Sequence, residues 1–193
     1  MYGFRFLFYS KKIVAAVFLF CAMGCVFPLS AQHIYEVRQG DVKFYSDAPE
    51  ELIKAYSGKL KGIVDFSKRT FAFKINIASF EGFNSALQRE HFNENYMETS
   101  VFPLATFAGK IVENLNFKKE GTYKIRAKGK MKIHGIEQIR ILPVTMLVSR
   151  KEITVTADFT VLLADHQIKL PRVVNNKLSE EIHVSISAIL VEK

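Results

Sequence analysis

Two groups of polar side chains have residue types that could support chemistry. Glu90, His91 and Glu94 fall within one turn of a predicted helical segment, and two carboxylates with an imidazole could hold a divalent cation. Asp165 and His166 are adjacent, and an acid beside a histidine provides two members of a hydrolytic triad. The first group has a single histidine, and carboxylates are common on protein surfaces, so a solvated helix face is favoured there over a metal site.

The acid–histidine pair lacks an activated nucleophile in the sequence. No serine lies in a G-x-S-x-G context, and neither H-E-x-x-H nor a glycine-rich phosphate loop is present. His134 is followed by Gly135 at the end of an alternating segment, which favours a turn residue over a polar contact at a binding site. We therefore predict no catalytic residue, no metal and no cofactor, and a protein that is not an enzyme.

The first 31 residues have the pattern of a cleavable secretory signal. Three basic residues are followed by an apolar run over 13–27 and by small residues that end at Ala31. The run is short for a membrane-spanning helix. Export to the periplasm or the medium is the prediction. A lipid anchor on Cys25 is the alternative, because Gly24-Cys25 resembles a lipoprotein processing site.

The remaining 162 residues, 32–193, have the length of one domain. Both cysteines, Cys21 and Cys25, lie in the signal, so the domain has no disulfide and no thiolate metal site. The net charge of +8 falls to +5 once the three signal cations are removed. This modest charge, together with export, argues against nucleic acid as a partner.

Period-two alternation of apolar and polar residues dominates the domain and predicts many antiparallel strands. Alternating segments cover 60–66, 71–77, 106–111, 122–134, 153–163 and 182–190, with turn residues at 67–69, 119–121 and 149–151. The segment Ile136–Val148 is apolar at both parities, which predicts a strand enclosed on both faces. Residues 86–97 are poor strand formers and predict a short helix or crossover.

The pattern is typical of an all-β sandwich or barrel, and the two differ in function. A barrel of about eight strands can enclose a small ligand. The inward positions mix small residues with aromatic ones, which fits either a cavity or a solid core with alternating side-chain sizes. The outward lysines between Lys124 and Lys132 fit either a wet strand face or contact with anionic headgroups.

An ordered series of motifs resembles the YceI-like family of exported lipid-binding proteins. Gly129-Lys130-Met131-Lys132-Ile133-His134-Gly135-Ile136 is similar to the family's G-x-L-x-I-H-G-V hairpin, and Phe102-Pro103 with Phe107 is similar to a strand entry. The segments 58–66, 73–80 and 89–98 resemble its early strands and crossover. Met131 replaces the usual leucine, Glu137-Gln138 replaces Thr-Lys, and the segment before Gly58 matches poorly.

The resemblance implies an eight-stranded antiparallel, lipocalin-like barrel over 32–193, with the helical crossover near 86–97. It also implies that the barrel sequesters or carries an isoprenoid or similar amphiphilic lipid. The alternative is an envelope β module with a solid core that binds another protein. An amphiphilic lipid is the predicted partner, and contact with a membrane surface and homodimer formation are left open. Inward parity and closeness to the crossover select the predicted ligand-binding residues, which are Phe73, Ile75, Phe83, Leu87, Phe92, Phe107, Met131, Ile133 and Phe159.

Overall fold

The computed structural model describes residues 33–114, 119–171 and 176–193. The predicted signal over 1–31 lies outside the described residues. No helix in the described ranges is long and apolar enough to cross a bilayer.

Nine strands and one short helix make up the described part of the chain. The strands are β1 (Ile34–Asp47), β2 (Leu52–Ser57), β3 (Lys61–Asp65), β4 (Thr70–Asn76), β5 (Leu104–Ile111), β6 (Gly121–Ile133), β7 (Ile136–Val148), β8 (Ile153–Leu162) and β9 (Glu181–Glu192). The helix α1 (Ala86–His91) continues as a π-helical turn (Phe92–Tyr96), and 3₁₀ turns occupy Ile77–Ser79 and Leu163–His166.

The strands form one antiparallel sheet that closes on itself. Neighbours follow the order β2-β1-β3-β4-β5-β6-β7-β8-β9, and β1 also pairs with β9 from Tyr35–Glu192 to Ser46–Ile182. Eight strands therefore close a barrel and β2 is an additional strand. The predicted all-β barrel of eight strands with a helical segment near 86–97 is confirmed.

On these strands the apolar side chains, at every second position, face the barrel interior, because successive side chains of a strand point to opposite faces. On β6, Ile125, Ala127 and Met131 are buried while the lysines between them are exposed. The same pattern holds for the inward residues of β4, β8 and β9. The faces predicted from the alternation are thus confirmed on these strands.

Strand β7 corrects one expectation. Its segment was predicted to be enclosed on both faces, yet Ile139 is 71% exposed, Ile141 53% and Leu147 51%. A strand in a closed barrel has one inward face, and no other described element covers the outer face of β7. The prediction of enclosure was wrong because an apolar outer parity does not by itself provide a covering layer.

Strands β2 and β3 pair in succession with the same edge of β1. Val42 lies opposite Ser57 and Glu36 lies opposite Ile63, so the register is the same on either side of the short break between the two strands. Beyond that break, β2 provides the barrel wall toward the 3₁₀ turn Ile77–Ser79, and Tyr56 bridges to Glu81. This broken wall brings β1 and the crossover to the same end of the barrel.

Glycine is required at two places in the sheet, one hairpin turn and one close approach of two strands. The β6–β7 hairpin turns on His134 and Gly135, with φ of 49° and 75°, and positive φ at both central residues is the geometry of a type I′ turn. The turn predicted at His134 is confirmed. Gly109 and Gly129 lie directly opposite each other, and a Cβ on Gly129 would come within 2.3 Å of the Ala108 carbonyl oxygen. Only residues without a side chain allow β5 and β6 to approach this closely.

Candidate functional site

A cavity of about 210 Å³ lies inside the barrel at the end where the crossover packs. The walls come from the inward parity of β1, β2, β4, β5, β6, β8 and β9, and from the segment 77–97. The lining residues include Val42, Ile53, Ile75, Ile77, Met97, Ala105, Ile133, Phe159, Val161, Leu163, Ile168, Leu178, Ile182, Val184 and Ile186. Lys74 is the one charged residue among the described residues that line it. Such a space favours apolar matter, since little in it can repay the desolvation of a polar group.

Four phenylalanines form an aromatic cap over this cavity: Phe44, Phe80, Phe83 and Phe92. The ring of Phe44 lies 5.2 Å from that of Phe80 and 5.5 Å from that of Phe92, and the rings of Phe83 and Phe92 are 5.0 Å apart. These centroid distances are in the range of favourable aromatic pairs. The cap thus joins the crossover to β1 through contacts between aromatic rings.

Eight of the nine ligand-binding residues predicted from the sequence line the cavity, and one does not. Phe73, Ile75, Phe83, Phe92, Phe107, Met131, Ile133 and Phe159 all line the cavity. Leu87 does not, and it is 58% exposed. The crossover is helical there, and Gln88 and Phe92, four residues apart, face the cavity instead. Leu87 is therefore excluded from the lining, while the role of the other eight in ligand binding stays a prediction.

A second, smaller cavity of about 100 Å³ lies deeper in the barrel. Its walls include Ile111, Ile125, Val144, Val155 and Leu190, which do not line the first cavity. Five residues line both cavities and form a partition layer between them: Leu60, Phe73, Phe107, Met131 and Ile186. Phe107 is held within the layer by Phe71, whose ring lies 4.9 Å away. The interior is thus two apolar compartments separated by one layer of five residues.

A polar cluster lies beside the cavity at the β6–β7 hairpin. His134 Nε2 lies 2.7 Å from a carboxylate oxygen of Glu98, and its Nδ1 lies 3.1 Å from the His166 carbonyl oxygen. His166 Nδ1 in turn lies 3.2 Å from the Ile136 carbonyl oxygen. These contacts join the end of the crossover, the hairpin and the 3₁₀ turn after β8. His134 thus links these three segments through its two ring nitrogens.

His166 is fully buried, and burial lowers the pKa of its imidazole against the opposing effects of the Ile136 and Ile133 carbonyls. Its Nε2 has no hydrogen-bond partner in the described part of the chain. No nucleophile is therefore paired with the Asp165–His166 dipeptide there. Nor does any group of three or more histidine, cysteine or acidic side chains within the described ranges have the geometry to hold a metal ion.

The wall between β7 and β8 is only partly a β-ladder. Pairing covers four positions, from Thr145–Thr156 to Val148–Ile153. Toward the cavity end, side chains replace the ladder. Arg140 Nη2 donates to the Thr160 carbonyl oxygen at 2.7 Å, and Gln138 Nε2 donates to the Asp165 carbonyl oxygen at 2.7 Å. We call this region the β7–β8 seam.

The family model for the YceI-like domain matches residues 36–190, which include all nine described strands in whole or in part. The chain belongs to the YceI-like family. The resemblance inferred from the hairpin and crossover motifs is thereby confirmed. A comparison with curated proteins gave no significant match.

Solved structures of similar fold include a polyisoprenoid binding domain from Saccharophagus degradans implicated in plant cell wall breakdown. Its TM-score is 0.71 at 14% identity, over 82% of this chain and 98% of that one. Burkholderia cenocepacia BcnA has a TM-score of 0.65 at 15% identity, over 78% and 95%. The Campylobacter jejuni YCEI protein has 0.55 at 16% identity, over 72% and 84%. At such identities these structures show that this YceI-like chain shares their fold.

Several cavity residues were missed in the sequence of this YceI-like protein. Phe44 and Val42 belong to β1, whose alternation is broken by a register shift between Val37 and Gln39. Phe80 follows the 3₁₀ turn, where strand parity no longer applies. The signal that could have located Phe80 is its closeness to Phe83 and Phe92, the two crossover phenylalanines that were predicted.

Proposed function

We propose that this YceI-like protein is an exported, non-catalytic binding protein that takes up the apolar tail of an isoprenoid or similar amphiphilic lipid. The observation that carries the proposal is the apolar cavity under the aromatic cap. Each methylene moved from water into such a space contributes about 0.8 kcal/mol, so a tail alone provides affinity without specific polar contacts. The polyisoprenoid binding described for the Saccharophagus degradans domain of similar fold supports the same ligand class.

The alternative of a solid-core module that binds another protein has less support. It requires that the inward side chains fill the barrel, whereas the inner faces of β4, β5 and β6 leave a cavity at one end. Phe107 and Met131 pack in the partition layer without filling the space above it. The cavity therefore favours a ligand inside the barrel.

Titration with a soluble isoprenoid tests ligand binding directly. Farnesyl diphosphate titrated into the protein by calorimetry should give saturable binding with a negative heat-capacity change, the signature of buried apolar surface. Ala105→Phe places a ring in the cavity and should weaken this binding at least tenfold. Ala72→Phe is the matched control, because Ala72 lies on the exposed outer face of the neighbouring strand β4. Equal binding by both variants, or none by the wild type, would count against the proposal.

Export is part of the proposal because it would bring the protein to a compartment where membrane-derived lipid is present. The intact mass of protein purified from its native host should correspond to a chain that begins at Gln32 if the signal is cleaved after Ala31. Incorporation of a labelled lipid precursor into the wild type but not into Cys25→Ser would instead show the anchored form. Mass spectrometry of the same native material should detect a co-purifying isoprenoid-type lipid.

A further inference from the structure

The outer faces of β6 and β7 combine a row of cations with a row of exposed aliphatic side chains. In the β6–β7 ladder Lys130 lies directly opposite Ile139, and Lys128 lies directly opposite Ile141. These two isoleucines are among the most exposed large apolar residues of the described chain. We call this surface the Lys–Ile face and define it by Lys124, Arg126, Lys128, Lys130 and Lys132 of β6 with Ile139, Ile141 and Pro143 of β7.

The positive charge of the Lys–Ile face is only partly neutralised. Lys130 Nζ lies 3.1 Å from Glu137, and Arg126 Nε lies 2.8 Å from Glu113. Within the described residues Lys124 and Lys128 form no ion pair, and Lys110 of β5 lies opposite Lys128 and adds to the charge. A lysine row by itself is the ordinary wet side of a strand. Here a contiguous apolar row beside it is an independent second feature.

We infer that the Lys–Ile face docks on the surface of an anionic phospholipid bilayer. Lysines are attracted to the phosphates of the interface, and the isoleucines can enter the acyl boundary below them. A second copy of the chain fits poorly, because the same cations would face each other. The outer face of a closed barrel is convex, which a deformable bilayer accepts more readily than a flat protein surface does.

The Lys–Ile face lies on the outside of a strand whose inner face lines the larger cavity. Met131 and Ile133 alternate with Lys130 and Lys132 along β6, and their side chains line the larger cavity. Docking through the Lys–Ile face therefore places the β6 wall of the larger cavity next to the bilayer. This reason for docking rests on the proposed function, whereas the binding of the face to a bilayer does not.

Vesicle flotation tests the inference. The full chain without its signal should bind vesicles of 30% phosphatidylglycerol in phosphatidylcholine, and should bind pure phosphatidylcholine vesicles at least tenfold more weakly. Lys124→Gln/Lys128→Gln should lower the partition coefficient at least tenfold, since each lysine near an anionic surface contributes about fivefold. It should also reduce the salt dependence. Ile139→Ser/Ile141→Ser should lower partitioning while the salt dependence stays unchanged.

The matched control is Lys61→Gln/Ile63→Ser on β3. Ile63 is 49% exposed and Lys61 lies on the same outward parity, but this strand is three positions around the barrel from β6. The control should bind vesicles as the wild type does. Wild-type protein that stays unbound, or Lys–Ile variants that bind as the control does, would overturn the inference. So would a change in self-association rather than in vesicle binding.

Farnesyl diphosphate binding measured on the same variants separates the two proposals. If vesicle binding is absent while farnesyl diphosphate binding is intact, the docking inference alone is wrong. If vesicle binding is present while farnesyl diphosphate is not bound, the Lys–Ile face stands and the proposed ligand class is wrong. Circular dichroism of each variant confirms the fold, and substitutions at exposed positions are expected to leave it unchanged.

Discussion

Arg140 Nη2 donates a hydrogen bond of 2.7 Å to the carbonyl oxygen of Thr160, across a gap where β7 and β8 no longer pair. Thr160 therefore has a side-chain partner from β7 in place of the backbone partner that a complete ladder would provide. A charged donor holds the seam together beside the cavity, and its loss leaves a partly buried carbonyl without that partner.

Arg140→Ala should lower the free energy of unfolding by about 1.5–3 kcal/mol, the usual contribution of a hydrogen bond to a charged group. Urea denaturation measures this change. Arg150→Ala is the control, because Arg150 forms an exposed ion pair with Glu120 and should cost under about 1 kcal/mol. Equal losses in the two variants would show that the seam does not depend on Arg140.

The buried His166 should make the stability of the barrel depend on pH. Burial lowers its folded-state pKa below the ordinary 6.5, so the unfolded chain binds a proton that the folded chain does not. The free energy of unfolding should be at its full value above about pH 6.5 and should fall as the pH is lowered from there toward the folded-state pKa. Urea midpoints measured between pH 7.5 and 5 test this.

In that experiment His166→Asn is the informative variant. The asparagine amide can still donate to the Ile136 carbonyl, but it does not titrate. It should flatten the pH dependence between pH 7 and 5 even if it lowers the stability overall. His183→Asn is the comparison, because His183 lies on β9 with its ring stacked on that of Tyr45 and is not fully buried. An unchanged slope in His166→Asn would assign the pH dependence to other groups.

The paired glycines of β5 and β6 should tolerate no side chain. Gly129→Ala should lower the free energy of unfolding by about 1–3 kcal/mol or more, because its Cβ would overlap the Ala108 carbonyl oxygen. Gly58→Ala should be close to neutral, since its Cβ would meet only an oxygen of the Asp41 side chain at 3.3 Å. Thermal denaturation of the two variants provides the comparison.

The partition layer should set how long a tail the barrel prefers. For the wild type we expect affinity to rise from geranyl to farnesyl diphosphate and to level off at geranylgeranyl diphosphate, because Phe107 and Met131 close the larger cavity. Phe107→Ala should extend the rise to the longest tail by joining the two cavities. Calorimetric titrations with the three diphosphates measure the trend.

Two further variants isolate this effect. Val144→Ala enlarges the smaller cavity alone and should leave the wild-type trend unchanged. Phe107→Ala is expected to lower the free energy of unfolding by about 3–5 kcal/mol and could prevent folding. In that case Phe107→Leu, which retains more of the packing, replaces it. A wild type whose affinity keeps rising to geranylgeranyl diphosphate would show that the tail already passes the layer.

Much of the fold could be predicted because alternation along β4, β6, β8 and β9 is regular, and regular alternation determines which side chains face inward. Strand β1 could not, since the shift between Val37 and Gln39 moves the inward parity from odd to even positions. Leu87 was misplaced for a related reason, because strand parity does not transfer to a helix. The exposure of Ile139 and Ile141 arises because no other described element covers the outer face of β7, and the sequence of β7 alone cannot indicate this.

The pairing of β1 with β9 has a consequence for the order in which the chain can fold. Leu190 of β9 is fully buried, and Ala188 beside it is 2% exposed, so the final strand completes the interior and closes the wall at once. A nascent chain that lacks Glu181–Glu192 has open edges on β1 and β8 and cannot form the barrel. Such a polypeptide keeps both edges unpaired until β9 has been synthesised, and an unfolded chain is the form that the proposed export would require. Under the proposed export, closure by β9 would act as a delay, so that the barrel interior forms only after the chain has passed through the membrane.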